Sequence, residues 1–352
     1  MSCDLLKLVI VAPEVYFREG PGGIARYCRE VYPKIESMLN TGDQIRKMPL
    51  GFDERSLTTP SKLEGMGFAL DSDIIHNLAE APFLPKKRRG VVVNTAHEFQ
   101  TILYEDMTDI LPKNENESLV FSIFKENIKS VLFGDYLIVN SSQTKEEAVT
   151  LGFEPENIYQ VPMGIDRRFC ETDPAEKEEG RKSFRLGWIG AIRGRKRIDI
   201  AIGALDHIHN RVKLEMYGMV FRQYKQEFER LMNGNAKVEF RGFADDKKIV
   251  EIYDSFDAFL MPSAYEGFGL EILEAQARGI PVIAMKDSKI PEETKRYCVL
   301  ADDTEDLAYK IDKILEMGFD QRKRTEAMKY ARSFTWEKTA EKTFESYKKM
   351  ID

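Results

Sequence analysis

Short continuous apolar runs alternate with stretches of helical periodicity along this chain, in two series parted by a charged segment. A strand covered on both faces reads as an unbroken apolar run, and strand–helix alternation builds parallel sheets flanked by helices. The first series opens with KLVIVA (Lys7–Ala12), which ends at Pro13. A loop reaches PGGIARY (Pro21–Tyr27), and Ile24, Tyr27, Val31, Ile35, Met38 and Leu39 then recur at helical spacing. Further strands are expected at Asp73–Leu78, Gly90–Glu98 and Asp135–Ser142, and Asn157–Asp166 closes the series. Ser118–Phe133 reads as a surface helix of the core, and another helix is expected after a cap near Ser142.

Arg167–Ser183 is dense in charge, holds Pro174 and Gly180 and lacks apolar periodicity, which marks an inter-domain linker. The alternation then restarts. Strands are expected at Phe184–Gly190, Lys213–Gly218, Lys237–Phe243, Ala258–Ser263 and Pro281–Met285. Helices are expected from about Asp199, at Gln223–Met232, Lys247–Ser255 and Gly269–Arg278, with two more at the C-terminus. The expected fold class is therefore α/β, with two Rossmann-like doubly wound domains facing each other across a cleft. Ligands of such sheets sit at the C-terminal ends of the strands. A chain of 352 residues is long enough for two such cores.

Composition removes several other classes. The net charge of -7 supplies no global cationic surface for nucleic acid. Two local basic runs stand out, Lys86–Arg89 and Arg193–Arg197. The first reads as a solvated turn, with an anionic lipid surface or acceptor as its alternative. The four cysteines are far apart and form no C-x-x-C, and there are only four histidines, so no metal site is expected. No uncharged apolar run approaches the ~18 residues of a membrane span. Leu5–Ala12 carries Lys7 and is too short for a signal peptide. The expected location is the cytoplasm, with peripheral contact at the inner membrane face left open.

The segment MPSAYEGFGLEILEAQARGIPVIA (Met261–Ala284) concentrates the chemistry. A strand ends near Met261–Pro262, a tight turn holds Glu266–Gly269, and a helix starts at about Gly269 and stops at Gly279. Amides at the start of that helix make an anion cradle suited to a phosphate. Carboxylates are acceptors only, so Glu266 and Glu274 suit hydroxyls rather than the phosphate. The neighbours of Glu274 are apolar nearly all round the helix, so it is expected to be buried and to need partners. Glu271 reads as a first-turn partner of the helix dipole.

This segment resembles the E-x7-E signature of the retaining group-one glycosyltransferases of GT-B architecture, with EGFGLEILE supplying Glu266 and Glu274. The resemblance runs along nearly the whole chain. PGGIARY resembles the family's N-terminal glycine loop, NSSQTKEE and VPMGID the approach to its linker, and GWIGAIRGRKRID its second phosphate-contacting loop. FTWEKTAEKTFESYKK resembles its closing helices. It implies an acceptor-side domain over 1–168 completed by 336–352, a linker over 169–183, and a nucleotide-sugar donor domain over 184–335.

It also implies roles. Glu274 would hold ribose hydroxyls and Glu266 hydroxyls of the donor sugar. The amides of Phe268, Gly269 and Leu270 would lie near the distal phosphate or sugar, and Lys196 would pair with the diphosphate. His97, at the end of the strand VVVNTA, resembles the histidine that touches the donor sugar. Gly22 and Gly23 open a helix and are read as a cradle for a phosphate or acceptor. Two positions depart from the family: Ala191 replaces an arginine and Met163 an asparagine. Arg193 or Arg195 is left to reach the phosphates, with Arg193 preferred.

The implied activity is transfer of a sugar from a nucleotide diphosphate sugar, such as a UDP- or GDP-sugar, to a hydroxyl of a glycan, lipid-linked or small-molecule acceptor. Configuration is retained, no cofactor or metal is used, and the setting is polysaccharide or glycoconjugate synthesis. A non-catalytic nucleotide-sugar-binding protein and an epimerase or phosphorylase of the same fold stand as alternatives. The absence of G-x-G-x-x-G after the first strand disfavours a dinucleotide oxidoreductase.

Overall fold

A computed structural model describes residues 5–18, 22–50, 71–79, 88–104, 125, 128–175 and 183–351. These divide into two units, one built from residues up to Gly164 together with Trp336–Ile351, the other from Ile165–Thr335.

The first unit holds a parallel sheet of β1 (Lys7–Pro13), β2 (Gln44–Leu50), β3 (Ile74–Asn77), β4 (Val91–Ala96), β5 (Tyr136–Val139) and β6 (Ile158–Gln160), in the order β2-β1-β3-β4-β5-β6. The apolar run of β1 is buried, and the strand lies inside the sheet: Leu8 pairs with Ile45 on one side and Ile74 on the other. β2 was not expected, since its polar QIRKMPL lacks the apolar signature of an interior strand. A five-residue helix, Glu14–Arg18, also stands within the expected loop.

Helix Gly23–Ser37 buries Tyr27, Val31 and Ile35, the stripe expected from their spacing. Helix Ser142–Thr150 is capped where expected, near Ser142: Ser141 Oγ accepts from the Thr144 amide at 3.1 Å. The C-terminal helix Trp336–Ile351 packs on helix Gly23–Ser37. Its Tyr347 hydroxyl bonds the buried His76 Nδ1, while His76 Nε2 bonds Thr95 Oγ1 at 2.8 Å. Most of the expected helix Ser118–Phe133 lies outside the described residues, as do Lys86 and Lys87. Arg88 and Arg89, the rest of that basic run, pair with Asp135 and Asp71.

The second unit holds β7 (Phe184–Ile189), β8 (Val212–Tyr217), β9 (Val238–Phe240), β10 (Ala258–Met261), β11 (Val282–Met285) and β12 (Val299–Ala301), all parallel, in the order β12-β11-β10-β7-β8-β9. Gly187 on β7 is required: a Cβ there would lie 2.1 Å from the Phe256 ring. β12 was not expected, and four helices rather than two follow Met285: Glu292–Lys295, Thr304–Met317, Gln321–Ala331 and Trp336–Ile351.

The start of the expected linker packs into this unit. Helix Arg168–Glu171 buries Phe169 against Tyr253, with ring centroids 5.3 Å apart. Residues 176–182 of the linker lie outside the described residues. Cys28, Cys170 and Cys298 are free thiols. Among the described residues no helix is long and apolar enough to cross a membrane.

Candidate functional site

In the second sheet the strand order reverses between β7 and β10, and in an open parallel sheet the crevice beyond such a switch point receives ligands. The loop after β7 carries Arg193–Arg197, and the loop after β10 carries Pro262–Gly269. The two loops are bonded to each other through the Ala264 amide and the Arg195 carbonyl, at 2.8 Å.

Lys196 and Glu266, 70 positions apart, meet here. Lys196 Nζ donates to Glu266 Oε1 at 2.7 Å, and both side chains are about 95% buried, with exposures of 5% and 6%. Arg195 Nη1 stands 3.7 Å from Glu266 Oε2 and donates to the Tyr265 carbonyl at 2.9 Å. Burial alone would raise the Glu266 carboxyl. The charges of Lys196 and Arg195 and bonds from Lys196 and Ser263 outweigh it and hold the group below its ordinary value. Glu271 lies 3.8 Å from Lys196. Of the two arginines left open by the sequence, Arg195 is the one seen beside Glu266. The Arg193 guanidinium lies over the Phe221 ring, 5.1 Å from its centroid.

Helix Leu270–Ala277 starts at Gly269, whose φ of 87° no side chain adopts cheaply. Phe268 contributes backbone rather than side chain to this turn. Its ring is buried beside Phe334, and its carbonyl accepts from Thr294 Oγ1 at 2.7 Å. Leu270 opens the helix and is itself buried. The helix ends as expected, with Gly279 left-handed at φ 66°. Glu274 is buried, and its partner is Tyr253, whose hydroxyl donates to Oε2 at 2.8 Å.

Two features escaped sequence reasoning. Tyr253 sits in a helix with no motif around it. Arg197 has a left-handed backbone, φ 43°, the one described non-glycine residue with positive φ, at a cost of about 1–2 kcal/mol. Gly190 and Gly218 also approach closely where β7 and β8 end: a Cβ on Gly218 would fall 1.7 Å from the Gly190 carbonyl oxygen.

In the first unit the order reverses between β1 and β3. Gly22 caps helix Gly23–Ser37 at φ 91°, with nothing within 4 Å of the Cβ it lacks. His97 follows β4 and is buried. Its Nε2 lies 2.9 Å from the Leu78 carbonyl, so Nε2 carries the proton. Burial pushes the imidazole down to about 4, against smaller upward contributions from the Leu78 bond and Glu98, so it is neutral at pH 7.

These sheets and loops define a two-domain α/β protein of GT-B architecture. HepE of Anabaena, solved in complex with UDP-glucose, superposes with a TM-score of 0.70 at 17% identity, covering 98% of this chain and 100% of that one. Residues 183–317 match the model of the family described as Glycosyl transferases group 1. Among curated relatives, the O-antigen chain mannosyltransferase B of Escherichia coli is 22% identical over 228 residues, 60% of each chain. The D-inositol 3-phosphate glycosyltransferase of Actinosynnema mirum is 26% identical over 307 residues, 78% of this chain and 72% of that protein. The chain thus spans less than two thirds of the first of these relatives.

Proposed function

We propose that this protein is a retaining, metal-independent glycosyltransferase that moves a sugar from a nucleotide diphosphate sugar, a UDP- or GDP-sugar, to an acceptor hydroxyl. The observation that carries the reading is the buried Lys196–Glu266 pair beside the start of helix Leu270–Ala277, with Glu274 on that same helix. The relatives' sugar transfer and the UDP-glucose in the HepE complex support it.

In this reading Lys196, Arg195 and the amides of Phe268, Gly269 and Leu270 stabilise the departing diphosphate by preorganised charge. Arg195 is assigned in place of Arg193 because it shares Glu266 with Lys196. Glu266 accepts from donor-sugar hydroxyls and Glu274 from the ribose. In the first unit, neutral His97 and the helix start at Gly22 and Gly23 are assigned to the sugar-bearing substrates. A glycan, lipid-linked or small-molecule acceptor in the cytoplasm, or at the inner membrane face, fits this chemistry.

The test is a panel of nucleotide sugars scored by release of free nucleotide diphosphate, with and without EDTA, and by the anomeric configuration of the product. Lys196→Ala should lower turnover more than binding, and Glu274→Ala should weaken nucleotide binding. Both variants behaving as wild type would sink the assignment. Silence across the panel would point to a non-catalytic binding protein.

A further inference from the structure

The assignment above uses Lys196 and Glu266 and leaves the next residue, Arg197, without a role. Two observations meet at Arg197. Its backbone is left-handed, with φ 43° and ψ 48°, a conformation that favours glycine. Its side chain, only 20% exposed, runs to the two loops opposite. Nε donates to the Pro262 carbonyl at 2.7 Å, and Nη2 to the Ser263 carbonyl at 3.3 Å and Ser288 Oγ at 3.2 Å. The same guanidinium forks onto Asp287, with Nη1 to Oδ2 at 2.8 Å and Nη2 to Oδ1 at 3.0 Å. Ser288 Oγ in turn donates to the Ser263 carbonyl at 2.6 Å. One planar cation therefore ties the loop that carries Lys196 to the loop that carries Glu266. The Ala264–Arg195 backbone bond joins the same two loops.

We infer that Arg197 is a positioning residue for sugar transfer: its guanidinium clamps loop 193–197 onto loop 262–266 and so sets the Lys196–Glu266 geometry that the donor meets. The inference rests on the proposed assignment of that pair to the donor. Its physical basis is a conflict between backbone and side chain. Glycine would relieve the backbone, so an arginine kept there must gain through its side chain. Only a guanidinium can fork onto a carboxylate while a further N–H reaches a carbonyl; an ammonium is a point charge. Stability and positioning are thus separable at this one residue. Arg197→Gly removes strain and clamp together, and Arg197→Lys keeps strain and charge but loses the fork.

The experiment uses the full chain, with Lys196→Ala as control. Thermal unfolding of Arg197→Gly should stay within about 5 °C of wild type, because relief of strain offsets lost bonds. Hydrogen exchange at the Ala264 amide should quicken about tenfold or more in Arg197→Gly while β7 and β10 keep their protection. Hydrolysis of UDP-glucose, UDP-galactose, GDP-mannose and ADP-glucose is then measured, and the donor that wild type turns over is followed. For that donor, kcat should fall about tenfold or more in both Arg197 variants, with KM changed by less than about threefold. A protected Ala264 amide in Arg197→Gly, wild-type kcat in that variant, or full rescue by lysine would each overturn the inference. Wild-type turnover in Lys196→Ala would sink the site assignment itself, and the inference with it. The exchange measurement needs no donor and so tells the two failures apart.

Discussion

Tyr253 donates its hydroxyl to Glu274 Oε2 across 2.8 Å, and the tyrosine ring is locked among Phe169, Phe256 and Phe259. The ring cannot swing away, so the bond holds one oxygen of the carboxylate at a fixed place. Tyr253→Phe deletes only the hydroxyl. We expect nucleotide affinity to fall about five- to tenfold, the loss of roughly one hydrogen bond's worth of organisation. Preference for UDP over 2′-deoxy-UDP, or for the matching pair of the preferred base, should shrink with it. Calorimetric titration of both nucleotides checks this, and an unchanged preference would argue against ribose recognition through Glu274.

The Lys196–Glu266 pair makes a prediction about acid. Glu266 is held below its ordinary carboxylate value, so its stabilising contribution is fully present above that ordinary value. It is lost as pH falls through the lowered one. Urea unfolding of wild type and Glu266→Gln should differ most near neutrality and converge in strong acid. Curves that stay parallel at every pH would show that the pair carries no proton-linked stability.

The first unit should respond to acid by a different route. Burial pushes His97 down to about 4 and His76 to about 3, each far below a free imidazole. Between the unfolded value near 6.5 and those folded values, the unfolded chain binds more protons, so stability falls as pH falls across that window. Replacing His97 by Gln should flatten the slope by about one proton. Unfolding free energies at pH 7, 6 and 5 measure it, and an unaltered slope would count against a buried neutral His97.

Arg278 is fully buried and holds Asp254 through two bonds of 2.7 and 2.8 Å, while also donating to the carbonyls of Thr172 and Asp173. Arg278→Ala leaves Asp254 without this partner and should cost about 3–5 kcal/mol. Residues 172–175 should become cleavable by protease before the rest of the unit unfolds. Equal resistance in wild type and variant would mean that other contacts secure this segment.

Interior strands were legible in the sequence because burial on both faces writes itself as an apolar run: β1, β4, β7 and β10 all stand where their residues placed them. β2 was not, because an outermost strand pairs on one side and tolerates Gln44, Arg46 and Lys47. β12 is likewise outermost in its sheet, and its central Leu300 is exposed, so no apolar run marks it. At the site, the helix start at Gly269 and the burial of Glu274 followed from local pattern. The partners did not. Tyr253 lies 21 positions from Glu274 and Lys196 lies 70 from Glu266, and no local rule spans such gaps. Nor did the basic loop's sequence show that Arg195 stands 3.7 Å from Glu266.

The closeness of Arg195 and Lys196 to Glu266 and Glu271 has a kinetic consequence. Two cations and two carboxylates cancel at short range before any substrate arrives. An incoming anion therefore feels little pull from afar in a chain that is already negative overall. Capture should depend on exchange at contact, with the diphosphate taking the place of a resident carboxylate. Encounter rates of an anionic donor should then rise modestly with ionic strength, as salt screens the chain's net negative charge, and selectivity should reside in how long the donor stays rather than in how fast it comes.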